Sequence, residues 1–291
     1  MNLLKTSILA LGLGLMVAAC GGETAPKEAA PKAEPEAEKP EMKMEAEPEA
    51  DAPWSMTKDG ITITEKTSAP EYPGAGLTLD APAAGEAVAG ANNFKFTVTP
   101  GENDYQLGNQ TEGANANGCA NSAKGQHIHF IVNNAPYKAF YTPEFESELG
   151  EGSNVVLAFI SRSYHESIKA AGAFVVTEFN TSGGDPADLS GKHLFYSRPK
   201  GTYKGEFAKK VLLDFYVVNT ELAEDGDQVK VTVNGTEFML PMWVPYTIEG
   251  MPMGENTIMI ELVDAEGNMI EGPFNNSGER VITLTEEEPA N

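Results

Sequence analysis

Basic residues are scarce in this chain. Lys and Arg total 20 against 43 Asp and Glu, a formal net charge of −23 over 291 residues. Nucleic-acid binding needs clustered cations to neutralise phosphates, and that class is excluded as a partner. Cysteine is scarcer still, with two residues, so no disulfide-dense scaffold can form. The motif inventory is equally thin: no phosphate-binding glycine loop, no dinucleotide fingerprint, no nucleophile elbow, no His-Glu-x-x-His and no Cys-x-x-Cys. Four histidines leave little material for an acid–base triad. We therefore read the chain as a non-enzyme.

The strongest positive signal is at the N-terminus. Lys5 precedes an apolar run over residues 8–19. That run is too short to span a bilayer, which needs roughly 20 residues. It ends Val17-Ala18-Ala19-Cys20-Gly21. Small residues directly before a cysteine resemble the lipobox of bacterial lipoproteins. The resemblance implies cleavage before Cys20 and acylation of its thiol and new amine, with more than one chain giving stable anchoring. Gly21, rather than Asp, follows the lipidated residue, and the sorting rule of that family then implies the outer membrane.

Residues 23–52 form a low-complexity tract of Ala, Glu, Pro and Lys, with ten acids against four lysines. Its apolar surface is too small to offset the entropy of ordering. Prolines and like charges extend it, to roughly 90 Å at about 3.1 Å per residue. This reads as a tether. Cleavage at residue 19 removes one Lys and no acid, so the mature chain carries 19 minus 43, or −24.

Beyond Trp54 the pattern changes to short runs rich in Val, Ile, Phe and Tyr: 94–98, 127–132, 155–160, 174–179, 211–218, 229–233, 257–263 and 281–284. Period-two alternation and β-branching predict strands. Asn234-Gly235 and Glu266-Gly267-Asn268 predict hairpin turns. The runs also repeat. Phe130-Ile131-Val132-Asn133 matches Val231-Thr232-Val233-Asn234 at an offset of 101, and Asn154-Val155 matches Asn256-Thr257 at 102. Pro82 and Pro199 each precede an alternating run. The expected fold is all-β: two tandem Ig-like β-sandwiches after a disordered N-terminal tether. The boundaries expected are 1–19 for the signal peptide, 20–68 for lipidated Cys and linker, 69–188 for the first sandwich and 189–291 for the second. One helix is predicted over 163–171, because Ser163-x-x-Glu166 has capping-box spacing and Gly172 can end it.

Three stretches carry a further resemblance: residues 119–129 (CANSAKGQHIH), 161–167 (SRSYHES) and 194–201 (LFYSRPKG). They resemble a group of bacterial envelope lipoproteins that carries a phosphopeptide-binding label. The likeness covers about residues 81–284. It implies a cell-envelope location, the membrane as partner through the lipid anchor, and a protein or peptide partner there.

His127 and His129 are the candidate site. On a strand, residues i and i+2 share a face, about 6–7 Å apart, and two imidazoles so placed can bind one ion. The second repeat has Gln228 and Lys230 at the matching positions, so the fold does not require the pair. His165 is the candidate third ligand. Cys119, in a Gly/Asn-rich loop, is the candidate fourth, and the set would suit Cu or Zn. The alternative is anion recognition at the same face, with Lys124, Arg162 and Ser163 as donors. A structural or adhesive spacer with no small ligand is the remaining reading. The methionines between 239 and 269 read as core packing, and Trp243 as a sandwich edge or an inter-domain contact.

Overall fold

A computed structural model describes residues 52–67, 71–83, 86–183 and 185–286. The signal peptide, Cys20 and the tether up to residue 51 lie outside the described residues. A hairpin of β1 (Ser55–Lys58) and β2 (Ile61–Glu65) comes first. Seven strands follow: β3 (Gly76–Ala81), β4 (Gly90–Thr99), β5 (His127–Val132), β6 (Lys138–Phe140), β7 (Glu144–Leu149), β8 (Ser153–Ser161) and β9 (Phe174–Asn180). The last eight are β10 (His193–Arg198), β11 (Gly201–Lys204), β12 (Lys210–Val218), β13 (Gln228–Val233), β14 (Thr236–Leu240), β15 (Tyr246–Glu249), β16 (Gly254–Val263) and β17 (Arg280–Thr285). All eight runs read from the sequence lie within these strands.

The strands make two sandwiches. In the first, sheet β3-β4-β7 faces sheet β6-β5-β8-β9. Their inner faces share one core, in which Leu77, Phe94 and Phe96 meet Ile128, Phe130, Val156 and Ile160. In the second, sheet β1-β2-β15-β12-β10 faces sheet β11-β17-β16-β13-β14. There Ile63, Leu213, Phe215 and Ile248 pack on Val229, Val231, Phe238 and Ile260. Among the described residues no helix is long and apolar enough to cross a membrane.

The repeat has a physical basis in matched turns. Asn133 N–H donates to Val155 O, and Val155 N–H donates back to Asn133 Oδ1. Asn234 and Thr257 make the same pair of bonds. Asn154 Nδ2 donates to Gly150 O and Gly152 O, and Asn256 Nδ2 to Pro252 O and Gly254 O. Local side-chain bonds thus pin the same bend twice.

Two expectations are corrected. Part of the stretch assigned to the linker, up to residue 68, is folded. β2 pairs with β15, Ile63 opposite Ile248, and buries Ile61 and Ile63 in the second core. The signal was present: Asp59-Gly60, both at positive φ (51° and 79°), turns between two short runs, and the Ile-x-Ile alternation supplies a buried face. The chain thus contributes to the second sandwich before it builds the first. The helix over 163–171 does not form. Ser161 instead bridges Ser167, and His165 takes a left-handed φ of 69° in a tight turn closed by His165 N–H on Arg162 O. Glu166 is drawn away from any capping role by Lys66 at 2.6 Å and Arg162 at 3.1 Å.

The two sandwiches also pack on each other. Ile131, Leu157 and Phe159 on the outer face of the first meet Phe195, Tyr216 and Val218 on the outer face of the second. Strands β8, β10 and β12 are consequently buried on both faces. Trp243 joins this contact, with its Nε1 donating to Phe215 O and its ring edge-on to Tyr216 at 5.0 Å.

Candidate metal centre

The histidines sit at one end of that interface. On β5, Ile128 and Phe130 turn into the first core, so His127 and His129 must turn the other way, toward the second sandwich. Both are fully buried. The turn after β8 brings His165 to them. His127 Nε2 lies 3.0 Å from His129 Nε2 and 2.9 Å from His165 Nδ1. All three ligand nitrogens lie within 4.8 Å of one another. Two nitrogens bound to one Zn or Cu ion at about 2.0–2.1 Å, at angles between a right angle and the tetrahedral value, are separated by roughly 2.9–3.4 Å. The two spacings from His127 match, and the third lies within 4.8 Å.

His127 Nδ1 is 2.8 Å from Gly125 O, and a carbonyl only accepts, so Nδ1 carries the proton and Nε2 offers a lone pair. That single lone pair faces two other ring nitrogens. One hydrogen bond occupies that lone pair and leaves the other nitrogen to the long contact of His165 Nδ1 with the Tyr137 hydroxyl at 3.4 Å; a cation at the centre would take all three lone pairs. Second contacts orient the rings as metal ligands require: Ser197 Oγ is 3.2 Å from His129 Nδ1, and the Tyr137 ring stacks on His129 with centroids 3.7 Å apart and planes at 9°.

Electrostatics keep the imidazoles neutral. Burial lowers the His127 pKa to about 4, against the Gly125 bond that raises it, with the Arg198 charge lowering it further. Burial also holds His129 well below its ordinary value, helped by His127 and His165. His165 is pushed far down by burial and then by Arg198. Neutral imidazole is the ligating form.

The other predicted site residues go elsewhere. Cys119 is a buried free thiol packed with Ala114, Tyr164 and Leu212, outside the histidine group. Burial raises its pKa, which disfavours the thiolate that would ligate. Arg162 is buried in its pair with Glu166 and donates to Ser167 O. Ser163 is tied to Thr111 through its N–H (2.9 Å) and its Oγ (3.2 Å). Both serve the turn rather than the site, because the turn buries them. Lys124 stands nearer, over the Tyr141 ring that flanks His127. Sequence reasoning missed Tyr137, Ser197, Arg198 and Lys200. The last three lie in residues 194–201, a stretch that had stood out, but only the packing of β10 against β5 brings them to the histidines.

No protein-family model and no curated protein matches the chain. Among solved structures it is similar to fibronectin(III)-like modules of Clostridium thermocellum CbhA, at 13% identity over 74% of this chain and 98% of that one, with a TM-score of 0.25. It is similar also to Bacteroides ovatus SGBP-B of a mixed-linkage glucan utilization locus, at 10% identity over 81% and 64%, with a TM-score of 0.22. The two tandem V-type regions of VCBP3 match at 7% identity over 77% and 99%, with a TM-score of 0.21. The assignment to all-β sandwiches stands on the strand pairing and the shared cores.

Proposed function

We propose that this protein is a metal-binding lipoprotein of the bacterial cell envelope, acting as a non-catalytic binding module. Cys20 carries the lipid, and the acidic tract spaces the sandwiches from the membrane, with Gly21 favouring the outer one. His127, His129 and His165 hold one Cu or Zn ion. The observation that carries this reading is the convergence of three imidazole nitrogens, two of them on fully buried rings and all within 4.8 Å of one another, around the Nε2 lone pair of His127. Three imidazoles without a thiolate suit Cu(II) or Zn(II), and intrinsic affinity order favours copper.

The test is metal content by mass spectrometry on residues 53–291, with thermal midpoints in Cu, Zn and chelator, beside His127→Ala/His129→Ala. One equivalent of metal, lost in the double variant, supports the reading. Equal content and equal midpoints in both proteins overturn it. For the anchor, Cys20→Ser moves the full chain from the membrane to the soluble fraction; unchanged membrane association overturns that part.

A further inference from the structure

The histidine centre has a second, positively charged half. Arg198 follows Ser197 at the end of β10 and is buried. Its Nη1 donates to Tyr203 Oη at 2.9 Å, while its buried Nε has no hydrogen-bond partner. Lys200, two residues on, donates from Nζ to Tyr137 O at 2.7 Å. Both cations stand close to the Tyr137 ring, Arg198 Cζ at 5.3 Å and Lys200 Nζ at 4.4 Å from its centroid. The same tyrosine stacks on His129, and its hydroxyl is 3.4 Å from His165 Nδ1. Among the described residues neither cation forms an ion pair with a carboxylate. Arg162, the other buried arginine among the described residues, is by contrast paired with Glu166.

A buried guanidinium without a counter-charge is costly, and one beside a divalent cation more so. Among the described residues no carboxylate pairs with either cation, and an anionic ligand would supply the balancing charge. We propose that Arg198 and Lys200 bind a small two-oxygen anion, of the carboxylate or nitrite kind, which also ligates the metal held by the three histidines. This rests on the metal reading above and names the ligand class of that site. Two features set the class. A guanidinium matches carboxylate-like oxygens, and Arg198 Nε is a buried donor left without a partner. His127 and His129 are fully buried and flanked by Tyr141 and Tyr137, which favours a small ligand over a bulky one.

The experiment titrates formate, nitrite and inorganic phosphate into the Cu(II)-loaded full-length protein, followed by visible absorption and electron paramagnetic resonance. Arg198→Gln and Lys200→Gln are measured alongside, each with its copper content. Formate and nitrite are expected to shift the spectrum, with affinity about tenfold weaker in each variant at unchanged copper stoichiometry, the loss expected for one charge-assisted hydrogen bond. Lys200 is exposed, so its variant keeps the test open should Arg198→Gln fail to fold. Bound copper with no response to formate or nitrite overturns this inference alone. So does an equal response in parent and variants, or phosphate binding as tightly as formate. Absence of copper and zinc from the parent overturns the metal reading and this inference with it.

Discussion

Glu166→Gln tests how the third histidine is held. Glu166 is fully buried in the turn that carries His165. Its carboxylate accepts from Lys66 Nζ at 2.6 Å and from Arg162 Nη1 at 3.1 Å, and those side chains are themselves only 9% and 6% exposed. Glutamine keeps the shape and removes the charge, leaving two covered cations facing a neutral amide. Removing one partner of a buried ion pair costs about 3–5 kcal/mol. For a domain of about 150–250 residues, each kcal/mol moves the melting temperature by about 2–4 °C, so a drop of about 6–20 °C is expected. Calorimetry of the metal-free protein reads it directly. Lys66→Met/Glu166→Gln removes one of the stranded cations, so the double variant should melt above Glu166→Gln alone. Metal affinity should fall in the single variant, because His165 loses the support of its turn. A midpoint for Glu166→Gln within about 2 °C of the parent refutes the reasoning, as does strict additivity in the double variant.

Acid should destabilise the metal-free protein before the carboxylates titrate. The folded pKa of His127, about 4, lies below the ordinary value of 6.5, so the unfolded chain binds the extra proton first as pH falls. The associated stability is present above pH 6.5 and is lost between there and about pH 4, by about 3 kcal/mol for His127 alone; denaturant midpoints that stay flat across that window would contradict this. Cys119→Ala should retain full metal stoichiometry, since the thiol packs outside the histidine group; metal loss in that variant would return Cys119 to the ligand set. The Cys119 thiol should also resist alkylation until the protein unfolds, as followed by mass shift. Asn154→Ala and Asn256→Ala should cost similar amounts, about 1–3 kcal/mol each, because they remove equivalent bonds from equivalent bends; a several-fold difference in chemical denaturation would break the equivalence of the repeats.

What the sequence revealed followed from local physics. Alternation placed the strands, and the shared face of His127 and His129 follows from the strand period alone. The repeat offsets of 101 and 102 correspond to real, matched bends at Asn133 and Asn234. What stayed hidden was non-local. The Ser-x-x-Glu spacing suggested a capped helix, yet Glu166 is claimed by Lys66, 100 residues away. Ser197, Arg198 and Lys200 gave no sign of belonging with β5, because their place depends on one sandwich packing on the other.

Yet one signal of that packing was legible. β8 reads Val155-Val156-Leu157-Ala158-Phe159-Ile160, and β12 is nearly as unbroken, whereas a sandwich strand with one wet face should alternate. Continuous apolar runs in an otherwise alternating chain say that a second layer covers those sheets. The comparison of repeats then explains the site. Gln228 and Lys230 occupy on β13 the places of His127 and His129 on β5, on a sheet whose outer face stays partly open, and Lys230 there pairs with Glu261 at 2.7 Å. On β5 the equivalent face is sealed by the second sandwich. Covering converts a surface position suited to a solvated lysine into one where imidazoles lose their protons and gain fixed partners. The histidine cluster is therefore a property of the junction between sandwiches rather than of either alone, and a sequence reading confined to one repeat finds the histidines without the environment that buries and pairs them.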